Sequence, residues 1–492
     1  MSRLSCPRLL LPVVAGIVLV ACGVLARRGP ALADEFIYLA GARHLTNAGS
    51  LDARFYDGRA LLNQGYPHQD NHSPGYVLLL AGTMCLLGGG YLTAVGLNIA
   101  AYLSAAVLLW RLCIHLGVAS RESCIAVALL LVFPAFAPYV YWVMAEVVLV
   151  TFFLATLGMA AGAGRRPGGA MLTGLLFGLC FLLRESALFG VPAVLALLPG
   201  RRAVLIFLIT ALCFAVLVYA PLSAGRSAGA SNFWAPTYGK EFGFEVVRSL
   251  KGGKPLMAVR LAWDRAALNL RELRSNATTL TERGILIALA LLPFWSLLAW
   301  PQLTSRQRRF LLGLVLGWLA MAGVIVGIYV VARWAGFRYL LFLGPPFLPF
   351  AARPVLARGR APGWVFPAAL AVAFVALNVQ ILGILDRYKI SRQKRQEGIA
   401  AYVERYMDTR QITRVVLPNG WLFGLRHYPT EVISSLPDGP QQLRELERSL
   451  WFDYVVLPGE SPLGPEWDGR IRYRRLNADD PQPPLLVYRR LK

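Results

Sequence analysis

The chain has 492 residues, 56% of them hydrophobic, a mean hydropathy of +0.52 and a formal charge of +23. Apolar residues at that density, gathered in runs, exclude an ordinary soluble domain and indicate a polytopic α-helical membrane protein. The positive charge comes as small arginine clusters between the runs, the pattern of cytoplasmic loops and lipid headgroup contacts, which argues against a nucleic-acid partner. The cysteines lie in or beside apolar runs, or just before the first one, and show no disulfide or zinc spacing, so they read as small packing residues.

The first run, residues 9–26, follows Arg3 and Arg8. "ALAD" at 31–34 mimics a cleavage site and "LVAC" ending at Cys22 a lipoprotein box, but the run is long enough to cross about 30 Å of hydrocarbon, which favours a retained signal anchor. A polar stretch then carries Asp34-Glu35 at the start of "DEFIYLAGARHLTNAG", whose apolar positions fit a helix lying in the membrane interface. "SPGYVLLLAGTMCLLGGG" is too short for a comfortable span and suits an interfacial or re-entrant helix. Spans follow near 93–115, 122–141, 143–161, 170–183, 187–198, 203–222, 284–300, 310–331, 337–351 and 364–385, which with the first run makes about eleven helices.

Arginine placement orients them. Starting with the N-terminus in the cytoplasm, every second connection is basic: Arg111 with Arg121, Arg165-Arg166, Arg201-Arg202, Arg306 with Arg308-Arg309, and Arg353 with Arg358 and Arg360. The alternation puts the Asp34 loop, the 223–283 loop, the turn at 333–338 and the tail after Asp386 outside. Arg27-Arg28 and the basic 223–283 loop run against it, though long loops obey the rule less strictly. The expected organisation is a membrane domain over 1–385, with periplasmic loops at 27–92 and 223–283, and a small periplasmic α/β domain over 386–492. In the latter, "RQEGIAAYVERYM" and "GPQQLRELERSLW" read as helices, "TRVVLP" and "DYVVLP" as strands and "PPLLVYRRLK" as an edge-like strand. It has no Gly-rich phosphate loop and reads as a structural or substrate-guiding cap.

Ionisable residues beside hydrocarbon are expensive and mark candidate sites. Asp34 and Glu35 are either functional or N-terminal capping acids of their helix. Asp70 and His72, in "QDNHSPGY", suit substrate orientation, capping of the next helix or a divalent ion, which would fall to Asp34, Asp70 and His72. Glu146 is expected near the outer end of a span, facing the same cavity as Asp34. Arg184-Glu185 joins two short apolar segments, as an internal ion pair or as part of the site. Arg333, Arg338 and Tyr339 fall at an outer turn, where guanidinium groups either clamp phosphate or extend to headgroups.

Taken together, "ADEFIYLA", "HSPGYVLLLAGTMCLLGGG", "FPAFAPYVYWVMAEVVL", "GLLFGLCFLLRESALFGVP" and "FRYLLFLGPPFLPF" resemble, in this order, segments of the GT-C superfamily of polytopic glycosyltransferases, in the branch of protein O-mannosyltransferases and lipid A aminoarabinose transferases. The chain departs from the pattern at Ser73, where a proline is common, and at Glu185, which follows Arg184 in place of proline. The resemblance implies transfer of a sugar from a polyprenyl-phosphate carrier to a lipid, glycan or protein acceptor at the outer face of the inner membrane, with inversion. It makes Asp34 the catalytic carboxylate, with Glu35, Asp70 and Glu146 shaping the cavity and His72 orienting substrate. Arg338 and its neighbour Tyr339, helped by Arg333 or Arg184, would meet the departing phosphate. The competing reading is a transporter or lipid flippase; against it, no internal repeat is visible and the charges gather at one membrane face.

Overall fold

The computed structural model describes residues 29–30, 33–51, 55–57, 74–133, 139–140, 142–164, 166–223, 246, 249–250, 252–276, 291–328, 338–357, 365–417, 420–435, 451–458, 473–480 and 484–491. Within them the chain forms α1 (Ala33–Ala48), β1 (Phe55–Asp57), α2 (Pro74–Leu87), α3 (Tyr91–His115), α4 (Ser120–Leu131), α5 (Glu146–Gly162), α6 (Pro167–Leu183), α7 (Val191–Leu197), α8 (Arg201–Phe214), α9 (Pro255–Asn276), α10 (Ser305–Ile328), α11 (Leu348–Ala357), α12 (Val365–Glu404), β2 (Arg414–Val416), α13 (Trp421–Arg426), β3 (Glu431–Ser435), β4 (Tyr454–Pro458), β5 (Tyr473–Arg475) and β6 (Leu485–Arg490). Its contacts divide it into two compact units, one mainly 94–222 and 240–386, the other mainly 28–93 and 387–492. Sequence order had grouped the 27–92 loop with the membrane region; its contacts group it with the C-terminal segment.

The first unit is the helical one. Among the described residues, Tyr91–His115, Arg201–Leu222 and Ser305–Gly327 are long and apolar enough to cross a membrane, and shorter apolar helices accompany them. Exposed leucines along α8, such as Leu205, Leu208 and Leu212, suit a hydrocarbon surround and would be costly in water. Small residues bring the helices close: Gly174 and Gly178 of α6 face Thr210 and Phe214 of α8, and Gly313 and Gly317 of α10 face the backbone at Pro192 and Phe189. A side chain at any of these would push the partner away.

Two expected spans are broken. In the 122–141 stretch, α4 stops at Leu131, three residues before Pro134, because the residue before a proline is driven out of the helical region. The freed backbone is satisfied from α3, where the Tyr102 hydroxyl donates to the Leu131 carbonyl. The Asn98 amide donates to the carbonyls of Tyr139, Trp142 and Met144. The 337–351 stretch is two 3₁₀ turns, Arg338–Leu343 and Pro345–Phe347, leading into α11. Prolines at 345, 346 and 349 remove the amides an α-helix there would need. Side chains also reach carbonyls of this stretch, Trp295 Nε1 donating to Ala351 at 3.1 Å and Ser296 Oγ to Phe347 at 3.3 Å. Irregular backbone at this depth is tolerated only where protein buries it.

The second unit is built on a six-stranded sheet in the order β1-β3-β2-β4-β6-β5. The first four strands run parallel, and β6 and β5 join antiparallel. The edge strand β1 comes from the 27–92 loop and pairs with β3, Phe55 opposite Val432. The expected "TRVVLP" and "DYVVLP" strands are β2 and β4, adjacent and central. "PPLLVYRRLK" contains β6, which is not at an edge: β4 and β5 flank it. The helix expected from "GPQQLRELERSLW" lies mostly outside the described residues. α12 is one continuous helix of 40 residues, about 60 Å long, where the sequence suggested a span ending at 385 and a separate amphipathic helix. The change from apolar to charged residues alters what surrounds a helix but supplies no stop signal, and no proline follows Pro367 in it.

Candidate active site

Helix α1 carries Asp34 and Glu35 in its first turn, where the helix dipole favours acids, and ends at Gly49, whose φ of 70° is open to glycine and strained for other residues. Its apolar positions Phe36 and Ala40, one turn apart, pack into the core of the second unit with Val403, Phe423, Val432 and Tyr454. Its C-terminal end is pinned by side chains. His44 contacts the Tyr428 hydroxyl and Ser50 Oγ through its two ring nitrogens, each at 2.9 Å. The Arg43 guanidinium donates to the Leu425 carbonyl at 2.9 Å. Tertiary packing therefore fixes where the two acids point.

The two acids have unequal surroundings. Asp34 is half-buried, whereas Glu35 is fully enclosed. The Tyr91 hydroxyl donates to Glu35 Oε1 at 3.0 Å, and Lys389 Nζ lies 3.6 Å from the same oxygen. Lys389, 1% exposed, also donates to the Tyr91 hydroxyl and sits over the Tyr91 ring. Burial pulls the Lys389 ammonium below the usual lysine range, and the Glu35 carboxylate opposes that pull. A buried carboxylate with a cation and a hydroxyl donor has its charge compensated within the fold. Lys389 and Tyr91 are members of this cluster that sequence reasoning missed. Lys389 sits in "DRYKISRQKRQ", where nothing separates it from its basic neighbours.

A second charged cluster belongs to the helical unit. Glu146 opens α5, and Arg184, at the C-terminal end of α6 with extended backbone (φ −160°, ψ 129°), donates to it at 2.7 Å. Both are largely enclosed, at 4% and 13% exposure. The pairing thus joins the two sequence candidates to each other, and the adjacent Glu185 accepts from the Tyr219 hydroxyl. Within a few residues of the pair, the Trp142 indole nitrogen and Ser186 Oγ are buried with no hydrogen-bond partner among the described residues. Orphaned polar atoms of this kind mark places where a ligand group or water completes the bonding.

The remaining candidates divide by position. Asp70, His72 and Arg333 lie outside the described residues. Arg338 and Tyr339 begin the 3₁₀ turn Arg338–Leu343, and their side chains lie outside what is described. Among the described residues no group of three or more His, Cys, Asp or Glu could hold a metal ion.

No protein-family model and no curated protein matches the chain. Solved structures do. ArnT, the lipid A aminoarabinose transferase, from Cupriavidus metallidurans bound to undecaprenyl phosphate, matches with a TM-score of 0.58 at 12% identity, over 97% of each chain. The Archaeoglobus fulgidus oligosaccharyltransferase in its apo form matches at 0.56 and 13% identity, over 93% of this chain and 70% of that one. The same organism's AglB, in complex with an inhibitory peptide and a dolichol-phosphate, matches at 0.51 and 12% identity, over 90% and 69%. Likeness across nearly the whole chain at such low identity establishes architecture: the chain shares the fold of these solved structures.

Proposed function

We propose that this protein is a membrane glycosyltransferase that moves a sugar from a polyprenyl-phosphate donor to a lipid, glycan or protein acceptor at the periplasmic face of the inner membrane, with inversion. One observation carries the reading furthest. On a fold shared with an undecaprenyl-phosphate-bound transferase, the acidic pair of α1 is split into a fully buried, cation-paired Glu35 and a half-buried Asp34. Asp34 is then the base. It takes the proton of the acceptor hydroxyl as that oxygen attacks the anomeric carbon from the side opposite the phosphate. The bond from that carbon to the phosphate oxygen breaks, and its electron pair leaves on the polyprenyl phosphate.

Glu35 acts through structure, holding the first turn of α1 against Tyr91 and Lys389. Stabilisation of the departing phosphate falls to Arg338, with Arg333 and Tyr339, while Asp70 and His72 orient substrate. Arg184, engaged by Glu146, serves as a neutralised pair shaping its surroundings. The proposed topology has about eleven spans, an N-terminus in the cytoplasm and the 386–492 segment in the periplasm as a cap.

The test is transfer from a labelled polyprenyl-phosphate sugar by purified protein in nanodiscs, with acceptor-lipid and peptide pools supplied. Asp34→Asn should lower kcat by about 10²- to 10⁴-fold with little change in donor binding. Full activity in that variant would remove Asp34 from the role of base. Movement of the lipid-linked sugar across a bilayer without transfer would replace the enzyme reading with a transporter.

A further inference from the structure

Helix α9 packs by one face. Ala258 and Asn269 are buried, the Asn269 amide donates to the Val326 carbonyl at 2.6 Å, and Ala262 faces Gly327. Residues seven apart on α9 thus meet neighbouring residues at the last turn of α10, so the helices cross. Because α10 is long and apolar enough to span a bilayer, α9 lies at the depth of a membrane boundary. The arginines opening α10 put that end in the cytoplasm on the charge alternation, and α9 at the outer one.

The side of α9 turned away from α10 is uncovered and apolar. Leu256, Val259 and Trp263, at i, i+3 and i+7, are 86%, 66% and 75% exposed. Arg260 and Arg271 are exposed beside this stripe, and Lys254 is exposed just before the helix. The helix carries four arginines against one aspartate and one glutamate. Such a stripe would be an aggregation hazard in water. Tryptophan on a basic amphipathic helix belongs at the headgroup level, where the ring meets acyl chains and the arginines meet phosphate.

We propose that α9 is an interfacial helix seated on a bilayer surface rich in anionic phospholipid, with Trp263 as its apolar anchor and Arg260 and Arg271 as its phosphate contacts. The surface requires a membrane but no transfer chemistry, so its test stands apart from the enzymatic one.

A cysteine-depleted full-length chain carrying Trp263→Cys, labelled with an environment-sensitive fluorophore, is reconstituted in nanodiscs of phosphatidylglycerol or of phosphatidylcholine. In phosphatidylglycerol the probe should be quenched by brominated acyl chains and shielded from aqueous iodide. Arg260→Gln and Arg271→Gln should each lower the ratio of seated to displaced helix by roughly fivefold, as expected for one basic contact to an anionic surface. Equal access for iodide in both lipids would overturn the proposal. So would protection from both quenchers, which would mean that protein covers the face, or equal lipid quenching in both lipids, which would remove the anionic preference. Hydrogen exchange of segment 255–276 in the unmodified protein gives a label-free check. Slower exchange in phosphatidylglycerol than in phosphatidylcholine supports the seat, and identical exchange removes it.

Discussion

Removing the Lys389 ammonium tests whether a buried charge pair holds the helix that presents Asp34. In Lys389→Met the Glu35 carboxyl stays fully enclosed and loses a cation 3.6 Å away. At an effective dielectric near 20, two unit charges at that separation interact by roughly 4–5 kcal/mol. Truncating one member of a buried pair costs about 3–5 kcal/mol, because the remaining charge keeps its desolvation penalty. At about 2–4 °C per kcal/mol for a unit of this size, the melting midpoint should fall by roughly 6–20 °C. The assay is thermal unfolding of detergent-solubilised wild type, Lys389→Met, Glu35→Gln and the double variant, followed by tryptophan fluorescence. The double variant should recover much of the loss, since neither charge is then stranded. Single variants melting within about 2 °C of wild type, or a double variant losing the sum of both singles, would refute the coupling. In that case the packing of Phe36 and Ala40 holds α1 without help from the pair.

Two further predictions use the same melting assay. Burial alone would raise the Asp453 pKa, but donation from the Thr413 hydroxyl, the Arg414 and Thr413 amides and the Trp451 indole holds it below the usual carboxylate range. The folded state therefore binds this proton more weakly than the unfolded one. Its stabilisation is complete above the ordinary carboxylate pKa and is lost as pH falls through the depressed folded value, so a pH series should show that component in wild type and not in Asp453→Asn. In the helical unit, a Cβ at Gly317 would collide with the Phe189 carbonyl, whereas one at Gly323 meets open space. Gly317→Ala should destabilise by about 1–3 kcal/mol and Gly323→Ala by nothing or less, and equal effects would mean that α10 does not depend on that close approach.

The membrane helices were legible because length and apolarity are local properties: α3, α10 and the continuous helix Arg201–Leu222 that α8 begins lie close to their expected bounds. The stretches 122–141 and 337–351 were apolar enough to read as unbroken helices, and their prolines were the visible warning of the breaks. Of the expected sheet, β2, β4 and the residues of β6 could be seen in their short apolar runs. The position of β6 between β4 and β5, and the addition of β1, could not.

The acidic pair shows the same division. Sequence alone determined that two carboxylates open a helix in a chain rich in apolar runs, since residue identity and run length are written along the chain. Only the tertiary structure decided that Glu35 is the enclosed one and Asp34 the half-buried one. Glu35 is enclosed with Tyr91 and Lys389, which lie 56 and 354 positions further along the chain, and no periodicity within a segment encodes which distant side chain will reach it.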